Sequence, residues 1–477
     1  MFFFTDPIIL ILLGLVAISS VIALRPRSSP EIWLLIMTLL LFGLPRAGIF
    51  VPAVGLPLPL AHILAAVLIM EWLLICHHRQ KVHKSYGKFF LVYAAIAGIG
   101  LFVGLSYGSH YKIAFIELFL YLYSIGIFFY VSEAFAKKHF FMSFVWLLLT
   151  ISILVSIYGI AQKFIGSSIL IDKLTYNSAT QNASSYIVSS QSMRRVLSSY
   201  GDPNVLACQL LVFIGIGLAM FIGKNISPRN RVIAVIVVAL NVTCLVFTGS
   251  RAGLLCLVLM TFLIFLWRSR WTLFTAPAII VFIVMFSGGM INGYIESRFG
   301  THALHGDHRI NFPSMAWQML ETSPLGCGLG RMLLVDVQEL GWSLKIIPAT
   351  SIWNGYNSFW LNLFCRLGLP GVVGFILILV ALVRHIRRQL KLIQDPLVVA
   401  VIVGALIGTI CQLFIWIANN TYMLPGGSLN FWFMTGMLVA GCRAYAVEPD
   451  KAPARDLWTY PNPSMVFIPV NSIQTNK

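Results

Sequence analysis

Arginines set beside glycine, asparagine and proline are the residues of this sequence best placed for chemistry. The sharpest group is Thr248-Gly249-Ser250-Arg251-Ala252-Gly253, which joins two apolar runs. A guanidinium at such a junction is costly unless it has a partner or faces water. The glycines let backbone approach closely, and a helix starting here offers N–H groups to an anion. The planar five-donor fork of arginine matches phosphate, so the group reads either as a phosphate grip or as an interfacial arginine reaching for lipid headgroups. Arg309 is second: it precedes a helix signal at Asn311 and Pro313, so its charge and that helix N-terminus would aim at one place. An ordinary loop pair with Asp307 is the alternative. Third, Arg194 and Arg195 lead into Ser198-Ser199-Tyr200-Gly201-Asp202-Pro203-Asn204, where Asp202-Pro203 reads as a capped helix start. Fourth, Asn354-Gly355-Tyr356-Asn357-Ser358 enters an apolar run that carries Arg366 ahead of Gly368, Pro370 and Gly371. A helix broken by Gly and Pro, with an arginine inside it, needs backbone and charge satisfied within the bundle or in a wet cavity. His302, His305, Asp307 and His308 also cluster, but their spacing fits no standard metal site, and a solvated loop is the better reading. No P-loop, GxSxG, HExxH or paired-Asp element is present.

Composition says what must hold these residues. Of 477 residues, 58% are hydrophobic and 10% charged, with mean hydropathy +0.87. A soluble chain would be about a quarter charged. The apolar residues come in solid runs of about 16 to 22, long enough for a hydrocarbon core of roughly 30 Å. Soluble enzymes, disordered chains and secreted disulfide scaffolds are excluded. Outer-membrane barrels are excluded too, because their strands alternate in polarity. The net charge of +17 sits mostly in short loops, where it orients the chain rather than binding nucleic acid. The eight cysteines lack metal-type spacing; nearly all fall in apolar runs, Cys327 lies in a long loop, and no disulfide pair is suggested. The start, MFFFTDP, lacks a basic leader, so its apolar run reads as a retained first span.

The apolar runs place spans at about 8–24, 31–45, 55–76, 89–107, 113–134, 140–162, 204–222, 231–248, 252–267, 272–289, 357–383, 397–418 and 428–445. One set of loops then holds Arg25 and Arg27; Arg79, Lys81, Lys84 and Lys88; Lys137 and Lys138; Lys224, Arg229 and Arg231; Arg268 and Arg270; and Arg384, Arg387, Arg388 and Lys391. By the positive-inside rule these are cytoplasmic. The expected fold is an all-α polytopic transmembrane bundle of about 13 spans, with the N-terminus outside and the C-terminus cytoplasmic. It forms one membrane domain over 1–446, and 447–477 is expected to be a disordered cytoplasmic tail. Two long external loops remain, 163–203 and 290–356, and loops of that length are usually functional or disordered. The second is expected to contain a helix along the membrane surface, stopped by Ser323-Pro324.

In order, SYGDPNVLA, TGSRAG, an arginine separated by seven residues from a tryptophan, a P-L-G-x-G-L-G turn and YNSFWLNLFCRLGLPG resemble the O-antigen ligase/polymerase family. The resemblance covers about 194–371. It implies a glycosyltransferase in the bacterial cytoplasmic (inner) membrane, with its active site facing outward. The implied donor is an undecaprenyl-diphosphate-linked glycan, and the acceptor a glycan or the lipid A core. Membrane lipids surround the chain, and no nucleic acid, cofactor or metal is implied. The transfer would be inverting and metal-independent. Arg251 and Arg309 would hold the diphosphate, while Arg194, Arg195, Asn204, Ser250 and Arg366 would contact substrate. Asn357 matches a His-Asn pattern in which the histidine activates the acceptor hydroxyl. Here Tyr356 stands in its place, and a neutral tyrosine with pKa near 10 is a poor base at pH 7. His305, Asp307 and His308 are the nearest substitutes. Two arginines can stabilise the departing diphosphate as preorganised cations, leaving a base to add about 10²–10⁴-fold. The alternative is a flippase for the same lipid-linked sugars. Against it stands the lack of the repeat symmetry that transporters commonly show.

Overall fold

The structure, a computed structural model, describes residues 36–44, 48–51, 56–71, 84–165, 195–200, 202–268, 312–338, 341–348, 358–420 and 427–447. A short antiparallel hairpin, β1 (Gly48–Val51) and β2 (Leu56–Pro59), precedes α1 (Leu60–Glu71). The long helices follow: α2 (Lys84–Ser106), α3 (Tyr111–Ala134), α4 (Lys138–Ile165), α5 (Pro203–Ile222), α6 (Pro228–Thr248) and α7 (Arg251–Arg268). After them come α8 (Phe312–Thr322), the hairpin β3 (Arg331–Gln338) and β4 (Gly341–Pro348), then α9 (Phe359–Leu390), α10 (Pro396–Ala418) and α11 (Gly427–Tyr445). Among the described residues, eight helices are long and apolar enough to cross a membrane. The protein is a polytopic helical membrane bundle.

The helices begin where proline and a capping side chain coincide. Asp202 accepts from the N–H groups of Asn204 and Val205 ahead of α5, and Asp395 from those of Leu397 and Val398 ahead of α10. Ser227 opens α6 in the same way. Proline in the first turn gives up only an N–H that has no helical partner. In lipid an unmet backbone group costs several kcal/mol, so such closures matter more here than in water.

Successive helices run antiparallel, and their contacts sort the ends into two faces. At one face Arg268 donates to the Ile222 carbonyl, Arg231 to that of Gly223, and Arg443 to that of Ser132. Ile393 pairs with Ala446 at the same face. Of the basic junctions read from the sequence, those at 224–231 and at Arg268 are thereby brought together. At the opposite face are the C-terminal ends of α2, α4, α6 and α10 and the N-terminal ends of α3, α5, α7 and α9, tied by the bonds described below.

Most expected spans that fall on described residues match to within a few residues, and two differ. Residues 56–59, read as the start of a span at 55–76, form β2, because Pro57 and Pro59 deny a helix its N–H donors. The span at 357–383 continues to Leu390, so Arg384, Arg387 and Arg388 lie on its last turns rather than in a loop. Arginine is a good helix former, and cations suit a helix C-terminus. The long segment 290–356 holds the expected helix, α8, but also the β3–β4 hairpin, which was not expected from the sequence. Spans 8–24 and 272–289, most of 163–203 and the tail lie outside the described residues.

Candidate functional site

Two polar assemblies occupy the face opposite the basic ends. The first is built at the junction of α6 and α7. Gly249 takes a left-handed φ of 62°, which ends α6 and turns the chain straight into α7. Ser250 accepts from the Gly253 N–H with its side chain and from the Leu254 N–H with its carbonyl, so it caps α7. Its hydroxyl donates to Asn204 Oδ1 at 3.0 Å. Arg195 Nε donates to the Thr248 carbonyl at 2.8 Å, and Arg195 Nη2 lies 3.5 Å from the same Asn204 oxygen. Val196 N–H bonds the Phe247 carbonyl, so the stretch before α5, which includes the 3₁₀ turn Ser198–Tyr200, is stitched to the end of α6. Ser198 is held from α4, where the Gln162 carboxamide oxygen accepts its N–H at 2.7 Å. The result places Arg195, Asn204 and Ser250 in one hydrogen-bonded group, with Arg251, half-buried, as the first residue of α7. Two helix N-termini, those of α5 and α7, open beside it. Such ends carry partial positive charge and favour an anion.

The second assembly is a repaired break in α9. Gly368 leaves the helix at φ 62°, ψ −164°, and Pro370 follows without an N–H. The break frees the carbonyls of Cys365 and Arg366 and the N–H of Leu369. All three are met by the Pro324–Gly330 turn that leaves α8. Cys327 N–H donates to the Cys365 carbonyl at 2.7 Å, Gly328 N–H to that of Arg366 at 3.0 Å, and Leu369 N–H to that of Pro324 at 2.8 Å. On its other side the turn meets α2, with Leu329 N–H donating to the Gly100 carbonyl at 2.9 Å. Gly328, at φ 86°, lies so close to Gly104 that a Cβ there would overlap its backbone. Non-helical backbone is tolerated at such a place only when protein satisfies it, as here.

A buried ion pair sits under the turn. Arg366 donates through Nε and Nη2 to the two carboxylate oxygens of Glu117 on α3, at 2.9 and 2.7 Å. Both side chains are 1% exposed. Glu117 Oε2 also accepts the Gly330 N–H at 2.9 Å. Arg331, next in the chain, donates to the Tyr107 carbonyl beyond α2 at 2.8 Å. Cys365 of α9 also hydrogen-bonds the Cys327 thiol of the turn. With Ser323 and Arg331 it draws the Cys327 thiol down to about 6, against the opposing push of burial.

Of the residues expected to act, Arg195, Asn204, Ser250 and Arg251 are brought together. Arg366 is buried as expected, but two of its three nitrogens are committed to Glu117, in the second assembly. Arg194, Asp307, His308, Arg309, Tyr356 and Asn357 lie outside the described residues. The sequence reading missed Glu117, although the signal was present: an acid inside an apolar run needs a partner, and Arg366 in another run offered one.

Residues 234–376 match the family model described as O-antigen ligase. The chain carries an O-antigen ligase domain. That domain runs from α6 into α9, so it takes in the capped arginine of α7, the docked turn and the repaired helix break. The resemblance read from TGSRAG, the P-L-G-x-G-L-G turn and the Arg366 run rests on the same segment. Together with its apolar helices, this match supports a multi-pass membrane protein that carries an O-antigen ligase domain. No curated protein matches the chain.

Proposed function

We propose that this protein is a glycosyltransferase that transfers or polymerises an undecaprenyl-diphosphate-linked glycan at the outer face of the bacterial cytoplasmic membrane. The observation that carries the reading is the junction of α6 and α7. There Arg195, Asn204 and Ser250 fix the start of α7, and Arg251 is its first residue. A diphosphate leaving group needs its developing charge met by cations already in place. Arg251, the α7 N-terminus and, from the neighbouring outer segment, Arg309 are the groups proposed to meet it. An acceptor hydroxyl then attacks the anomeric carbon from the side opposite the diphosphate, which inverts that centre. Tyr356, Asn357, Asp307 and His308 remain the candidates for orienting and deprotonating the acceptor. Arg194 and Arg195 are the proposed flanking contacts to the donor. Arg366 is proposed to serve this site through Glu117, because its charge is already neutralised inside the bundle.

Orientation is the first expectation. A reporter fused after Lys84 or Arg388 should behave as cytoplasmic, and one fused near Gln181 or Val335 as external; an external signal at Arg388 would reverse the proposed sidedness. Chelation is the second. Since cationic side chains are proposed to meet the leaving-group charge, transfer by washed membranes should survive a chelator. Loss in chelator, restored by one divalent ion, would instead direct attention to His302, His305, Asp307 and His308.

A further inference from the structure

Glu117 makes three hydrogen bonds from one buried carboxylate, two to Arg366 and one to the Gly330 N–H. It thereby joins three parts of the chain that are far apart in sequence: α3, the broken α9 and the turn that connects α8 to β3. A buried ion pair by itself adds little net stability, because taking two charges out of water offsets their attraction. Specifying one arrangement among several is the better-supported use of such a pair. The Gly330 bond is what turns the pair toward the outer segment. Gly330 takes φ 76°, and an added Cβ there would meet Ser109 Cβ at 3.0 Å and Ala114 Cβ at 3.1 Å, so the turn packs closely against the start of α3.

We infer that Glu117 is a positioning residue: it latches the Pro324–Gly330 turn, and with it α8 and the β3–β4 hairpin, to the bundle beside the helix break. The latch acts through Arg366 and Gly330 and touches neither donor nor acceptor. Its consequence for transfer rests on the proposed function; its consequence for the seating of the turn does not.

Cys327 supplies a direct readout, since it lies in the turn, is 8% exposed, and is closed over by Cys365 and the break. Its thiol is already drawn toward the thiolate, so access and not ionisation limits its reaction with a maleimide. The experiment labels the purified full-length chain with a maleimide and maps the modified cysteine by peptide mass spectrometry. In the native chain Cys327 should stay protected. Glu117→Gln should raise its labelling on the order of 100-fold, because a buried arginine is left unpaired and local opening follows. Cys208 and Cys442, buried elsewhere in the bundle, should stay protected. The pair Glu117→Leu with Arg366→Met separates latching from simple stabilisation. It removes both charges, which is often neutral for stability, yet leaves Gly330 without its acceptor. A latch predicts a well-inserted protein with Cys327 labelled and transfer lowered. A merely stabilising pair predicts the same protein with Cys327 protected, and that result overturns the inference. Where Glu117→Gln fails to accumulate, Gly330→Ala leaves the ion pair intact and carries the same readout, and a protected Cys327 there likewise overturns it.

Discussion

Arg251→Lys is expected to lower glycan transfer on the order of 10²–10³-fold, the usual loss when a preorganised charge contact is removed, with the protein still present in the membrane. Lysine keeps the positive charge but loses the two-pronged donor geometry that matches a phosphate oxygen pair. Arg251 is suited to the test because Ser250 caps α7, Asn204 holds Ser250 and Arg195 holds the end of α6; the backbone on which the guanidinium stands is therefore fixed without it. Arg309→Lys is expected to fall similarly. If both grip one diphosphate, the double variant should be little worse than either single one. Arg298→Ala, eleven positions before Arg309 in the sequence, should be tolerated. Complementation of a deletion strain with these variants, checked by blot for membrane level, reads the outcome. Well-expressed lysine variants with normal transfer would remove the clamp.

The second large effect is expected at the break in α9. Gly368 occupies φ 62°, ψ −164°, a conformation essentially closed to residues with a side chain, and forcing one there costs about 1–3 kcal/mol of strain. A Cβ would also overlap the backbone of Leu325 and Gly326, so the turn could not stay seated. Three backbone groups of α9, the Cys365 and Arg366 carbonyls and the Leu369 N–H, would then lose their partners together. Gly368→Ala should therefore melt earlier in detergent and transfer little. Gly98→Ala, where an added Cβ meets nothing within 4 Å, should match the native protein in both. A Gly368→Ala protein with native melting and transfer would show that the turn is not held by the break.

Much of this architecture was legible because lipid imposes simple rules. Apolar runs of spanning length gave the helices from α2 onward, and Asp202-Pro203 and Ser323-Pro324 marked a start and a stop where the structure has them. The kink after Arg366 was legible as well, since glycine and proline in one turn of a membrane helix leave backbone groups that something must meet. What met them was not. The Pro324–Gly330 turn reads locally as a loop, and only the three-dimensional path brings its N–H groups to α9 and α2. The β3–β4 hairpin escaped because strand pairing depends on a partner that a search for spanning runs does not seek. Glu117 was less legible for a different reason: an acid inside an apolar run demands a partner, but nothing local says which of the distant arginines supplies it. At the junction, the order of SYGDPN and TGSRAG carried no sign that they touch, and the bonds from Arg195 and Ser250 to Asn204 supply the contact.

The central claim is that the junction at Arg251 carries out transfer rather than passage of a lipid-linked glycan. Purified protein in proteoliposomes, given a glycan linked to a radiolabelled polyprenyl diphosphate and an acceptor, tests it directly. The account predicts release of free polyprenyl diphosphate in step with growth of the acceptor glycan, and loss of both with Arg251→Lys. Movement of intact lipid-linked glycan between the leaflets, with no diphosphate released, would contradict it and identify a transporter instead.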